Sequence, residues 1–113
     1  MYLDEPTPEE QLKALTTEMQ QSKFYLGWLE YHQKNPEIMK LITRFTGDVI
    51  SSGLKNYSIS GIINRIRWYT DVETNTYGDF KISSIWSALY AREFMRRYPQ
   101  YMGFFRTREL EER

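Results

Sequence analysis

Hydrophobic residues recur along most of the chain at intervals of three and four positions, which is the repeat of a helix with one apolar face. Five segments carry this repeat, and each is bounded by residues that favour helix ends. The pattern therefore predicts a mainly α protein, folded as a compact bundle of four to five helices. The predicted helices span residues 8–21, 23–34, 36–52, 59–69 and 84–98.

The predicted boundaries rest on side chains that cap or end helices. A side-chain oxygen at the N-cap accepts a hydrogen bond from a backbone N–H that the helix leaves unpaired. Gly53 can adopt the left-handed conformation that ends the third helix, and Pro99 ends the last helix because it lacks a backbone N–H. The predicted N-caps are Thr7, Ser22, Asn35, Ser58 and either Ser83 or Ser84.

The connector between the last two helices has a different composition. Residues 70–78 are mostly β-branched or turn-forming. They predict either a loop or a short β-hairpin, with strands near 69–72 and 79–82.

The length of the chain predicts one domain, 1–113, with flexible ends at 1–7 and 107–113. Near the second end, Phe104 and Phe105 are expected to fold back on the core, because two exposed phenylalanines would favour aggregation.

The last predicted helix has a mixed pattern. Its first half, with Ile85, Trp86 and Leu89, is apolar on both sides and is expected to pass through the middle of the molecule. Its second half is amphipathic, so the later turns are expected to reach the surface. The charged arc of this second half comprises Arg92, Glu93, Arg96 and Arg97.

The charge of the chain is balanced overall and unbalanced locally. Fifteen Lys and Arg residues match 15 Asp and Glu, so the whole molecule has no electrostatic preference for nucleic acid or an acidic membrane. Between residues 80 and 108, however, six basic residues stand against one acid, Glu93. The six are Lys81, Arg92, Arg96, Arg97, Arg106 and Arg108.

This local excess, interleaved with aromatic residues, favours a module that binds DNA or RNA. Trp68 lies off the isoleucine stripe of its helix and can offer its ring to a base; the alternative is that it packs under the following loop. For the arginines of the last helix, the alternative is a solvated face partly neutralised by nearby glutamates. The predicted binding residues are Arg65, Arg67, Trp68, Lys81, Arg92, Arg96, Arg97, Arg106 and Arg108.

A second hypothesis is a protein-interaction module that binds no nucleic acid, either a modulator of a host factor or a homo-oligomer. The zero net charge and the aromatic content of 16% favour it, because aromatic residues are enriched at the centres of protein interfaces. Residues such as Trp28, Tyr31 and Trp68 would then be buried between chains.

Few residues offer catalytic or metal-binding chemistry. The chain has no cysteine, which excludes disulfides and thiolate sites and fits a reducing cytoplasm. The sole histidine, His32, cannot form an ordinary zinc site alone. Carboxylates at Asp71, Glu73 and Asp79 make a metal-dependent hydrolase a distant third hypothesis, and a polar turn is the simpler interpretation. We therefore predict no enzymatic activity and no cofactor. No membrane segment is predicted either, since the N-terminus is acidic and lacks an apolar run.

Several short motifs together resemble a set of short, uncharacterised bacterial and phage proteins, over about residues 28–110. The resemblance implies a shared small domain and a phage or mobile-element setting, and it carries no activity. In the relatives the Phe-Lys-Ile motif is followed by asparagines, where this chain has Ser83-Ser84. The matching motifs are Glu30-Tyr31-His32, Asn35-Pro36, Tyr57-Ser58, Arg65, Arg67-Trp68, Thr70-Asp71-Val72-Glu73-Thr74, Phe80-Lys81-Ile82, Tyr90-Ala91-Arg92, Met95, Pro99 and Gly103-Phe104-Phe105-Arg106-Thr107-Arg108.

Overall fold

The amphipathic segments of the chain fold as helices in the computed structural model, which describes residues 5–74 and 80–107. Within those ranges there are five α-helices and no β-strand, so the predicted mainly α bundle is confirmed. None of these helices has the length and apolar character needed to cross a membrane. Most of the predicted flexible ends, namely 1–4 and 108–113, lies outside the described ranges. The helices are α1 (Pro8–Gln21), α2 (Tyr25–Lys34), α3 (Pro36–Ser51), α4 (Ile59–Trp68) and α5 (Ser84–Arg97).

Three predicted N-caps accept the expected hydrogen bonds. The Thr7 hydroxyl accepts from the backbone N–H of Glu10 at 3.1 Å, and the Glu10 carboxylate accepts from the Thr7 N–H at 2.8 Å. The hydroxyls of Ser58 and Ser83 cap α4 and α5 at 2.9 and 3.1 Å. At the end of α3, Gly53 has a φ of 100°, which confirms the predicted left-handed residue.

The other two predicted N-caps lack the expected side-chain bond. Asn35 does occupy the N-cap position of α3, but its amide nitrogen donates to the backbone carbonyl of Tyr31 at 2.9 Å, so the side chain closes α2 and does not cap α3. The Ser22 hydroxyl accepts from the N–H of Phe24, and α2 begins at Tyr25, two residues later than predicted. In both cases a short polar side chain binds a neighbouring backbone group in a turn, in competition with the helix.

One hydrophobic core draws side chains from all five helices. Met19, Trp28, Ile42, Ile66 and Leu89 come from α1 to α5 in that order, and each is at most 2% exposed. Because α5 contacts each of the other four helices, it is the central element of the bundle.

The burial of α5 differs from the prediction. Its second half reaches the surface only in the last turn, at Arg96 and Arg97, since Arg92 and Glu93 are only 1% and 5% exposed. In its first half, Ile85 and Trp86 are only half-buried. The prediction was wrong because α1 and α2 pack against the charged arc of α5, and helical periodicity does not show from how many sides a helix is covered.

The predicted strand at 69–72 is also wrong. The backbone continues from α4 into a π-helical turn at Tyr69–Glu73, closed by a bond from the Thr74 N–H to the Tyr69 carbonyl at 2.9 Å. The Tyr69 ring packs edge-on against Phe45, with ring centroids 5.4 Å apart. Packing of Tyr69 on α3 thus outweighs the strand preference of the β-branched residues. The second predicted strand, 79–82, lies partly outside the described residues, and 80–83 is irregular.

The segment after α5 returns to the core. Phe104 and Phe105 are 3% and 1% exposed, which confirms that they fold back. The Phe104 carbonyl accepts from the N–H of Tyr57 at 3.1 Å, so this segment is fixed beside the start of α4. Gly103, with a φ of 88°, allows the turn that precedes them.

Candidate functional site

Arg92 was predicted to be a binding residue on the charged arc of the last helix, and the structure places it in the interior. Its guanidinium group binds the Glu18 carboxylate of α1 through two hydrogen bonds, of 2.9 and 3.0 Å. A third bond, of 3.1 Å, goes to the carbonyl of Ala88. Because Arg92 is 1% exposed, its charge joins α5 to α1 and is not presented to a ligand.

Arg96 and Arg97, at the end of α5, share a single carboxylate. The Arg96 guanidinium donates to both oxygens of Glu93, at 2.9 and 2.8 Å, and Arg97 Nε donates to one of them at 2.7 Å. Burial raises the pKa of Glu93, but the hydrogen bonds from the two arginines outweigh burial and leave the pKa below its usual value. Two positive charges therefore face one negative charge, and both guanidinium groups keep partial exposure.

Arg65 is occupied within the chain as well. Its Nη1 lies 2.8 Å from Oε2 of Glu73, an ion pair that lacks hydrogen-bond alignment. The guanidinium carbon of Arg65 also lies 4.3 Å from the ring centroid of Phe45 on α3. Like Arg92, it serves a contact between elements of the fold.

Arg67 and Trp68 end α4 on a more open surface. Arg67 makes no ion pair with a described residue; it donates to the Phe80 carbonyl at 3.4 Å and to the Asn64 side chain at 3.3 Å. Trp68 and Val72 are 57% and 58% exposed. A spacing of four residues places both on the same side of the helical segment.

Lys81 completes this region, because it is exposed and follows Phe80, whose carbonyl binds Arg67. Three of the predicted binding residues, Arg67, Trp68 and Lys81, therefore lie in segments that the bond from Arg67 to Phe80 joins. We name them with Val72 as the Trp68 surface: Arg67, Trp68, Val72 and Lys81.

The remaining predicted residues lie elsewhere. Arg106 is exposed and lines a groove of about 1010 Å³ with Tyr57, Ile59 and Ile85. Arg108 lies outside the described residues. The predicted basic residues in the described part of the chain therefore do not form one surface. They contact different elements of the fold: α1, α2, α3 and the segments before and after α4.

His32 belongs to a cluster of stacked aromatic rings. Its ring is parallel to that of Trp28 at 5.2 Å and edge-on to Tyr90 at 5.7 Å. Arg97 Nη2 lies 3.2 Å from His32 Nε2. An arginine only donates, so Nε2 accepts and the proton of the neutral imidazole lies on Nδ1. Burial lowers the pKa of His32, and the charge of Arg97 lowers it further, so the neutral form is favoured at neutral pH.

Three polar atoms of this cluster have no hydrogen-bond partner among the described residues. They are Trp28 Nε1, His32 Nδ1 and the Tyr90 hydroxyl, and all three are buried. Beside them, between α1, α2 and α5, lies a pocket of about 410 Å³. We name it the α2–α5 pocket; its walls include Met19, Trp28, Leu29, His32, Arg96 and Arg97.

The predicted carboxylate cluster is only partly visible. Glu73 is paired with Arg65, and Asp79 lies outside the described residues. Within residues 5–74 and 80–107, no three His, Asp or Glu side chains are grouped so that they could hold a metal ion. The hydrolase hypothesis therefore stays a prediction without a described site.

Comparison of the chain with models of known families, with curated proteins and with solved structures finds no match. The resemblance to short bacterial and phage proteins accordingly stays a prediction.

Sequence reasoning missed the α2–α5 pocket. The spacing of Trp28 and His32 already indicates that their rings are neighbours on one helix. In the pocket these two rings lie beside Glu93 and Arg97 of another helix. His32 and Arg97 are in contact although they lie some sixty-five positions apart in the sequence. No local pattern contains that information.

Proposed function

We infer that this protein is a small interaction module that binds another protein through the Trp68 surface. The observation that carries the proposal is the exposure of Trp68 and Val72, 57% and 58%, at the end of a helix whose other large apolar residues are buried. Covering an exposed tryptophan removes more apolar surface from water than covering almost any other side chain. Tryptophan and arginine are also the residues that most often dominate binding at protein interfaces.

The charges near Trp68 indicate the chemistry of the partner. Arg67 and Lys81 are exposed, and the adjoining turn carries the exposed acids Asp71 and Glu73, of which Glu73 is paired with Arg65. Counted over the described residues of this surface, one positive charge is in excess, which favours a partner with an apolar side chain flanked by carboxylates. Self-association through the same surface would bring two such excesses together, which is unfavourable. The proposal also includes a cytoplasmic location for the protein and its origin from a phage or a mobile element.

Nucleic acid is the second candidate ligand, and one observation favours it. Arg67 and Lys81 are exposed cations in the segments that adjoin the exposed Trp68, and an aromatic ring with cations nearby is what proteins use to stack a base and hold the phosphates of a single strand. The candidate is weakened by the pairing of Arg65, Arg92, Arg96 and Arg97 with carboxylates of the same chain.

The test replaces Trp68 by alanine and uses Leu26→Ala as the matched control, because Leu26 is 75% exposed on α2. Proteins captured by the wild type are purified and titrated against each variant by calorimetry. We expect Trp68→Ala to weaken binding about 30-fold, which corresponds to about 2 kcal/mol, and Leu26→Ala to change it less than about threefold. Light scattering of the protein alone should give the monomer mass.

Two results would contradict the proposal. One is a purified partner that binds Trp68→Ala as tightly as the wild type. The other is binding of a fluorescent oligothymidine that is lost in the Trp68→Ala variant and falls with salt at a logarithmic slope of about −1.4, as two phosphate contacts on a single strand require. The second result would favour nucleic acid.

A further inference from the structure

The groove that Arg106 lines, beside the start of α4, has accessible apolar walls. Its volume of about 1010 Å³ is at the upper limit of small-molecule pockets in proteins. Leu54 and Tyr57 on its walls are 51% and 40% exposed, and Ile59 and Ile85 are half-buried. A ligand that covers these side chains removes apolar surface from water. We name this site the Leu54 groove.

The charges around the Leu54 groove are cations, and no described carboxylate lines it. Arg106 is exposed on its wall, and Lys55 is exposed in the adjoining pocket, which shares Leu54 with the groove. Neither cation makes an ion pair with a described residue. Arg92 also lines the groove, but Glu18 neutralises its charge. Two positive charges are therefore in excess at this site, and they favour an acidic ligand.

The groove also offers hydrogen-bonding groups that the described fold does not use. In the connector between α3 and α4, the backbone N–H and C=O groups of residues 54–56 make no hydrogen bond with the described chain. The next residue of this connector, Tyr57, pairs as a strand does, in a parallel bridge with Phe105. Ser60 and Ser84 add exposed hydroxyl groups to the walls. Such groups suit a peptide, whose backbone carries a donor and an acceptor at nearly every residue.

We propose that the Leu54 groove binds an extended peptide of a protein partner, and that this peptide combines apolar side chains with carboxylates. The apolar side chains pack on Leu54 and Tyr57, and the carboxylates meet Lys55 and Arg106. The peptide backbone bonds to the connector, as in complexes in which a peptide adds to an exposed backbone edge. The Trp68 surface lies at the other end of α4, about 15 Å away along a helix of ten residues, so the proposal is independent of it.

Random peptides displayed on phage are the probe, because they sample many sequences without a prior choice of ligand. Peptides selected by the wild type are synthesised and titrated by calorimetry. We expect one class of them to be rich in Asp, Glu and large apolar residues and to bind with a Kd of about 10 μM. Binding of this class should shift the backbone N–H signals of residues 54–57 in NMR spectra.

Two groove variants and a matched control localise this class of peptides. The double change Lys55→Gln and Arg106→Gln removes both charges and should weaken binding about tenfold. Leu54→Ser should also weaken binding about tenfold, because an apolar contact is lost. The control, Lys13→Gln with Lys40→Gln, removes two exposed charges outside the groove and should change binding less than about twofold. Circular dichroism confirms that each variant is folded, as expected for exposed residues.

Peptides of this class should bind Trp68→Ala as tightly as the wild type, which separates the groove from the Trp68 surface. The proposal is overturned if no such peptides are selected, or if they bind the folded groove variants like the wild type. It is also overturned if oligothymidine, and no peptide, loses affinity in the double charge variant, since the ligand would then be nucleic acid. Shifts of the 54–57 signals caused by Leu110→Ser without any peptide would assign the groove instead to the C-terminal residues of the same chain.

Discussion

At the scale of single residues, four of the arginines predicted to bind a ligand are paired with carboxylates of the same chain. Sequence reasoning found the local excess of basic residues but could not find their partners. Arg92 meets Glu18 across 74 positions of sequence, and the carboxylate that Arg96 and Arg97 share is buried. A charge count reports how many cations a segment contains and not which of them reach water.

His32 provides a test of this internal polar network. The groups that face it are Arg97, Glu93 and Tyr90 from α5 and Trp28 from its own helix. Burial holds the pKa of His32 below its ordinary value of 6.5. As the pH falls below that value, the unfolded chain takes up a proton before the folded protein does, so the free energy of unfolding should decrease.

The measurement is urea unfolding between about pH 8 and about pH 5.5, on the wild type and on His32→Gln. The wild type should lose stability on acidification more steeply than the variant, whose side chain does not titrate. Equal slopes for the two proteins would show that folding does not perturb the imidazole.

At the scale of elements, the sequence predicts the helices well and the connections less well. Hydroxyl caps such as Thr7, Ser58 and Ser83 act within three residues, so local reasoning can find them. The π-helical turn at Tyr69–Glu73 was missed because it depends on where α3 places Phe45. The burial of α5 was missed for the same reason, since it depends on where α1 and α2 are packed.

Replacement by alanine should change the free energy of unfolding differently at two glycines in helices. A Cβ at Gly47 in α3 would meet no atom within 4 Å, so Gly47→Ala should raise the free energy of unfolding by about 0.5 to 1 kcal/mol. A Cβ at Gly61 in α4 would lie 2.7 Å from a ring carbon of Tyr57. The backbone of Tyr57 is bonded to Phe104, so the ring must move within a fixed segment and Gly61→Ala should lose that gain.

Thermal or urea unfolding of the two variants checks this prediction. If Gly61→Ala were as stabilising as Gly47→Ala, the Tyr57 ring would be free to move away from α4. The close approach of this ring to Gly61 would then not matter for the position of the C-terminal segment.

At the scale of the whole molecule, α5 lies at the centre, and its polar side chains Arg92 and Glu93 are buried against neighbouring helices. In the described part of the chain, the outer surface includes the exposed Trp68 surface, the groove beside Arg106 and the charged α2–α5 pocket. Sequence reasoning predicted Trp68, Arg67 and Lys81 as binding residues, and the bond that joins Arg67 to Phe80, the residue before Lys81, is a finding of the structure. It could not predict the pocket, because no single helix contains more than part of its walls.

The central claim is that the arginines of α5 hold the fold together, and the most direct test is the coupling energy between Arg92 and Glu18. It is obtained by urea unfolding of the wild type, Arg92→Met, Glu18→Gln and the double variant. The Lys34 and Glu30 pair, with side chains 72% and 68% exposed, is the control and should couple by less than about 0.5 kcal/mol. We predict a coupling of about 2 kcal/mol or more for Arg92 and Glu18, because the ion pair is bidentate, Arg92 is buried and Glu18 is partly buried. A coupling as small as that of the control pair would contradict the account.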